Sequence, residues 1–299
     1  MTAPAVPAIG DPSRRVTKGT KPPISLQRKR VWTIARTELK QLIEARDFWL
    51  PMMILGGIFF LVIPTILLIA ITSIGDIHAV HQISQAVQLL PAKARAAVKG
   101  KSEQGQTAYA LAVFLLAPVA VVVPLTISTA VGASTIVGER ERGTGEFLAH
   151  SPATVHEIYL GKLIASVVPG YVTTIVGFGL YSLIVNLLVG PKVGGWFFPT
   201  TQWWVLMLWV VPPFVLLTLS VVLRLSARVK STAAAQQASG LVTLPLIMIA
   251  YAEATGAVYG GNWVGIGVGA IVWFLALLGL WRGMKAVTRG RLLGVADGI

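Results

Sequence analysis

Six long runs of this 299-residue chain contain no charged side chain: 48–75, 104–138, 163–191, 193–223, 231–252 and 254–281. Together they occupy 173 residues. A helix needs about 20 apolar residues to cross the hydrocarbon core of a bilayer, and every run is longer than that. Lipid offers no partner to a free backbone N–H or C=O, so apolar runs of this kind span as helices. The expected fold is all-α, a polytopic membrane protein with six transmembrane helices. The spans are expected at about 48–74, 107–137, 162–189, 202–224, 232–252 and 262–282, within one transmembrane domain over 48–282. Composition agrees, with 12% charged residues against about 25% in ordinary soluble chains.

Taken alone, the net charge of +13 would point to nucleic acid or to an anionic surface. Its distribution points to topology instead. With the N-terminus inside, 20 of the 25 basic residues fall in inner segments. Only Lys93, Arg95, Lys99, Lys101 and Lys192 fall outside. The positive-inside rule then places both termini in the cytoplasm and leaves no support for a nucleic-acid partner. Trp49 and Trp281 fall at inner edges, and Trp196, Trp203, Trp204 and Trp263 at outer edges, as an aromatic belt requires; Trp209 and Trp273 lie deeper. The absence of cysteine removes disulfides and thiolate chemistry.

Residues 1–24 have no apolar core of secretory type and read as a disordered cytoplasmic tail. Residues 25–47 read as an amphipathic helix lying in the inner interface. Val31, Ala35, Leu39, Leu42 and Ile43 share one face, and Lys29, Arg36, Lys40 and Glu44 lie opposite. The other reading is a helix packed on protein. Outside, Val80, Ile83, Val87 and Leu90 recur at helical spacing ahead of the basic quartet Lys93, Arg95, Lys99 and Lys101. That quartet is either a contact for anionic cargo or headgroups, or a solvated face. Residues 283–299 read as a cytoplasmic tail.

The loop between the second and third spans is dense in signals. Gly138-Glu-Arg-Glu-Arg-Gly-Thr144 is a charged turn, Glu146-Phe-Leu-Ala-His150 a short helical segment, and Ser151-Pro152 a break. Thr154-x-x-Glu157 is a capping box for the helix that follows. These residues, with Glu157-Ile-Tyr-Leu-Gly-Lys162, resemble the cytoplasmic loop of type-2 ATP-binding-cassette (ABC) permeases. Ala35-Arg-Thr-Glu-Leu39 with Arg46-Asp47 is similar to the entrance helix of the same family. The motifs cover about 40 residues, and their order on six spans also fits. One departure is Gly145, where the family often has a larger apolar residue.

The resemblance implies a permease subunit of an exporter, with a coupling helix in this loop docking a separate ABC ATPase. Two permeases would pair, two copies of this chain in preference to two different chains, with two ATPase subunits. ATP and Mg would belong to the ATPase, and this chain would carry no cofactor. The ATPase-coupling residues would be Glu139, Arg140, Glu141, Arg142, Gly143, Thr144 and Glu146. The setting would be a bacterial or archaeal plasma (inner) membrane. Candidates for cargo contact or gating are Glu253 and the quartet Lys93, Arg95, Lys99 and Lys101. Apolar spans dotted with Ser and Thr favour a hydrophobic or amphipathic cargo.

Other chemistries fit poorly. Gly100-Lys101-Ser102 mimics the end of a phosphate-binding loop, but Arg95 stands where its first glycine belongs. His156-Glu157 begins a zinc-protease motif that Leu160 breaks, and Gln237 breaks a serine elbow at Ala238-Ser239-Gly240. Asp76, His78 and His81 lack a fourth ligand, so no metal site is expected. An intramembrane enzyme or an ion-driven secondary transporter are the alternatives. The first lacks catalytic groups within the spans, and the second would need ionisable residues there.

Overall fold

The computed structural model describes residues 26–74, 77–141, 151–226, 229 and 231–286. Residues 1–25, Asp76, the loop residues Arg142–His150 and the tail beyond 286 lie outside the described residues, as do the readings made for them. Every regular element among the described residues is helical. Six helices are long and apolar enough to cross a membrane: span 1 (Trp49–Ser73), span 2 (Glu103–Thr135), span 3 (Val155–Leu188), span 4 (Thr201–Ser226), span 5 (Ala233–Thr255) and span 6 (Asn262–Lys285). Among the described residues, four helices lie outside them: α1 (Arg28–Glu44), α2 (Ile77–Gln88), α3 (Ala92–Ala96) and the short α4 (Gly190–Val193).

Spans 2 and 4 form the centre. In their most apolar stretches 72% and 61% of residues are buried, against 22% to 39% in the other four. Span 2 packs against spans 3, 4 and 5, and span 4 against spans 5 and 6. The exposed apolar side chains of the outer spans, such as Ile54, Ile66, Val176, Leu244, Met248 and Phe274, suit contact with acyl chains. Gly279 and Gly283 lie on span 6. They pack internally: a side chain at Gly279 would meet Ser220 of span 4, and one at Gly283 would meet Tyr159 of span 3.

Prolines shape the spans through their missing N–H and the crowding of the turn before them. Among the described residues, three of the four π-helical turns end just ahead of proline: Ile58–Val62 before Pro64, Leu111–Leu115 before Pro118, and Leu206–Val210 before Pro212 and Pro213. In span 2 the π turn closes with Leu116 N–H donating to Leu111 O at 3.1 Å, and a turn follows through Pro118. Carbonyls just above the break then need other donors, because an unpaired carbonyl in lipid is costly. Aromatic side chains supply them. Tyr181 Oη donates to Ala112 O at 2.6 Å, Trp203 Nε1 to Val113 O at 2.8 Å, and Tyr259 Oη to Phe114 O at 3.2 Å.

This corrects the belt reading of Trp203, which is 1% exposed and stacked on Phe178 with centroids 5.7 Å apart. Its indole N–H is spent inside the protein. Trp196 and Trp263, at 72% and 86% exposed, stay on the surface.

Near the end of span 3, Asn186 organises the return to span 4. Its Nδ2 donates to Phe198 O, and its Oδ1 accepts from the N–H groups of Phe197 and Phe198. The phosphate-loop mimic is a helix start. Gly100 takes the left-handed region at φ 148, and Ser102 Oγ caps span 2 by accepting from Gly105 N–H.

Candidate functional site

The face of α1 that meets protein carries Val31, Ala35 and Glu38, all buried, with Ile34, Leu39 and Leu42 half-buried. Ile43, expected on that face, is 72% exposed, and Trp32 also points outward. The helix therefore packs on the start of span 3 with one face and leaves Trp32 and Ile43 to the surroundings. The contact is close: a Cβ on Gly161 would come within 2.6 Å of the Ile34 side chain. Ala45 ends α1, and a second helix, Arg46–Gly57, leads into span 1.

A carboxylate on a buried face is costly unless it is paired. Glu38 is paired with Lys162, whose Nζ lies 2.7 Å from Glu38 Oε1. The lysine is wholly buried and also donates to Thr135 O at 2.6 Å. One ammonium thus joins α1, the far end of span 2 and the beginning of span 3. Thr135 lies on the helix Val119–Glu141, which ends at the loop, and Lys162 lies on the helix Val155–Leu188, which follows it.

A second anchor sits one turn earlier. The capping box forms: Glu157 N–H donates to Thr154 Oγ1, and Thr154 N–H donates to Glu157 Oε2. The other carboxylate oxygen accepts from Gln27 N–H at 2.8 Å, just before α1. Arg30 adds a contact to Glu157 Oε2 at 3.8 Å and donates to Pro152 O at 2.8 Å. Segment 152–162 is therefore tied to both the start and the middle of α1.

The predicted coupling residues divide. Glu139, Arg140 and Glu141 end the helix of span 2, with their side chains outside the description; Arg142, Gly143, Thr144 and Glu146 lie outside the described residues. Lys93, Arg95, Lys99 and Lys101 are exposed on and after α3, and Glu253 is half-buried on span 5. No ion pair joins any of these five to another described residue. No group of described residues has the composition to hold a metal ion.

The Glu38–Lys162 pair was not anticipated, although both residues lie inside motifs already singled out. The available signal was Glu38 itself, seven residues from Val31 and so on the same helical face.

A family model described as ABC-2 family transporter protein matches residues 32–278. The chain belongs to that family. No curated protein matches it.

Proposed function

We propose that this ABC-2 family chain is the permease of an exporter, working as a pair of identical copies with two copies of a separate ABC ATPase. The family implies the ATPase association. The observation that carries the reading further is the buried Lys162–Glu38 pair, which binds both helices flanking the loop at 142–150 to α1.

The ATPase docks through Glu139–Thr144 and Glu146, and its ATP-driven closure displaces the loop. Because Lys162 holds Thr135 and Glu38 together, that displacement moves spans 2 and 3 and α1 as one body. The ATPase shifts the permease equilibrium only through contacts that differ between its two states. A charged loop on a movable assembly supplies such contacts. The π turns before Pro64, Pro118 and Pro212 are places where spans 1, 2 and 4 can bend.

Both termini face the cytoplasm of a bacterial or archaeal cell, the side that collects most basic residues. Cargo is hydrophobic or amphipathic, in keeping with spans that place few charges in the membrane. The test is co-expression with a candidate ATPase and an assay of transport. The intact pair should co-purify, and Glu141→Ala with Arg142→Ala should abolish cargo movement while the permease stays in the membrane. Full transport by that double variant without any co-purifying ATPase rejects the proposal.

A further inference from the structure

Arg224 stands two residues before the end of the span 4 helix, half-buried against span 6. One Nη donates to the carbonyl of Gly279. Its Nε is buried and has no hydrogen-bond partner. No carboxylate among the described residues pairs with it. A guanidinium cannot shed its proton to escape a poor environment, so a partly buried one gains from a nearby anion.

The surroundings add donors and more positive charge. Tyr159 of span 3 is 1% exposed, and its Oη has no hydrogen-bond partner. Tyr159 Oη and Arg224 Nε converge on Gly283, within 2.6 and 3.2 Å of where a Cβ would sit. Glycine at 283 lets both side chains approach the backbone of span 6 that closely. Arg282 is exposed beside it, and Lys285 lies 3.6 Å over the ring of Trp281, which is half-exposed at the end of span 6. These groups lie at the ends of spans, where a bilayer places its headgroups and where tryptophan and basic side chains gather.

We propose that the ends of spans 3, 4 and 6 form a seat for the phosphate of an anionic membrane lipid, with Arg224 as its cation, Tyr159 as a neighbouring donor and Arg282 at its rim. Arginine matches phosphate with paired N–H groups as well as charge. The apolar sides of spans 4 and 6 receive the acyl chains, which a free phosphate lacks. An occupied seat neutralises a charge shared by three spans, so lipid composition sets how firmly their ends are held together.

The test is native mass spectrometry of the full chain released from micelles, with phosphatidylglycerol or phosphatidylcholine of identical acyl chains. A separate arm supplies inorganic phosphate at millimolar concentration. Wild type should retain a phosphatidylglycerol that phosphate does not displace, and Arg224→Gln should lower its apparent affinity about five- to tenfold. Arg224→Lys should fall between the two, and phosphatidylcholine retention should be the same in all three. Displacement by inorganic phosphate alone would overturn the lipid assignment in favour of a free-phosphate site. Equal retention of the two lipids by wild type overturns the seat, and this comparison does not depend on any variant folding.

Discussion

Lys162 Nζ lies 2.7 Å from Glu38 Oε1 across a sequence separation of 124 residues, and neither side chain reaches the surface appreciably. The lysine joins α1 to spans 2 and 3 at the roots of the loop that the proposed ATPase would press. The pair thus ties α1 to both helices that flank the loop.

Removing one partner strands the other as a buried charge. Glu38→Ala or Lys162→Ala should each destabilise the protein by about 3–5 kcal/mol. The apolar double replacement Glu38→Leu with Lys162→Met should recover most of that loss, because no charge is left uncompensated. Thermal unfolding in detergent reads the cycle. Additive losses in the double variant would show that the two groups do not depend on each other.

The approach of α1 to span 3 depends on Gly161. Gly161→Ala places a methyl group within 2.6 Å of Ile34, and the adjustment should cost about 1–3 kcal/mol. Ile34→Ala should relieve part of that cost when combined with it. If the double variant melts no higher than Gly161→Ala, the contact is not the source of the strain.

How much of this was legible in the sequence follows from which interactions are local. Six spans show as charge-free runs because lipid acts on every residue of a span. Thr154 and Glu157 also show, since a capping box is local. Glu38–Lys162 joins distant segments, and only the oddity of a carboxylate among Val31, Ala35 and Leu42 marks its first half. Trp203 was misplaced because its belt-like position says nothing of the Val113 carbonyl freed across the bundle. The charged loop was readable as a motif, but its contacts depend on a partner chain.

The aromatic donors above Pro118 should differ in weight. Tyr181→Phe and Trp203→Phe each leave a buried carbonyl of Ala112 or Val113 without that donor, at a cost of about 1–3 kcal/mol. Tyr259 is half-buried and makes a longer bond of 3.2 Å to Phe114 O, which also accepts from Ala117 N–H. Tyr259→Phe should therefore cost less than either. The order of melting temperatures checks the ranking, and a larger loss in Tyr259→Phe would contradict it.

Because the chain has no cysteine, single labels can be placed without background. In intact cells, Gln85→Cys on α2 should react with an impermeant maleimide, and Ala149→Cys should react only after the membrane is opened. The reverse pattern would invert the topology and remove the loop from the ATPase.

Residues 139–146 are proposed to meet an ABC ATPase and to pass its motion to the spans. Site-specific cross-linking in the reconstituted complex tests it most directly, with single substitutions Glu141→Cys, Thr144→Cys and Glu146→Cys and a short bifunctional thiol–amine reagent. Cross-links from these positions to the ATPase are expected, with a yield that changes with ATP, and none from Gln85→Cys. Absence of cross-links at all three positions, in a complex that still hydrolyses ATP and moves cargo, would contradict it.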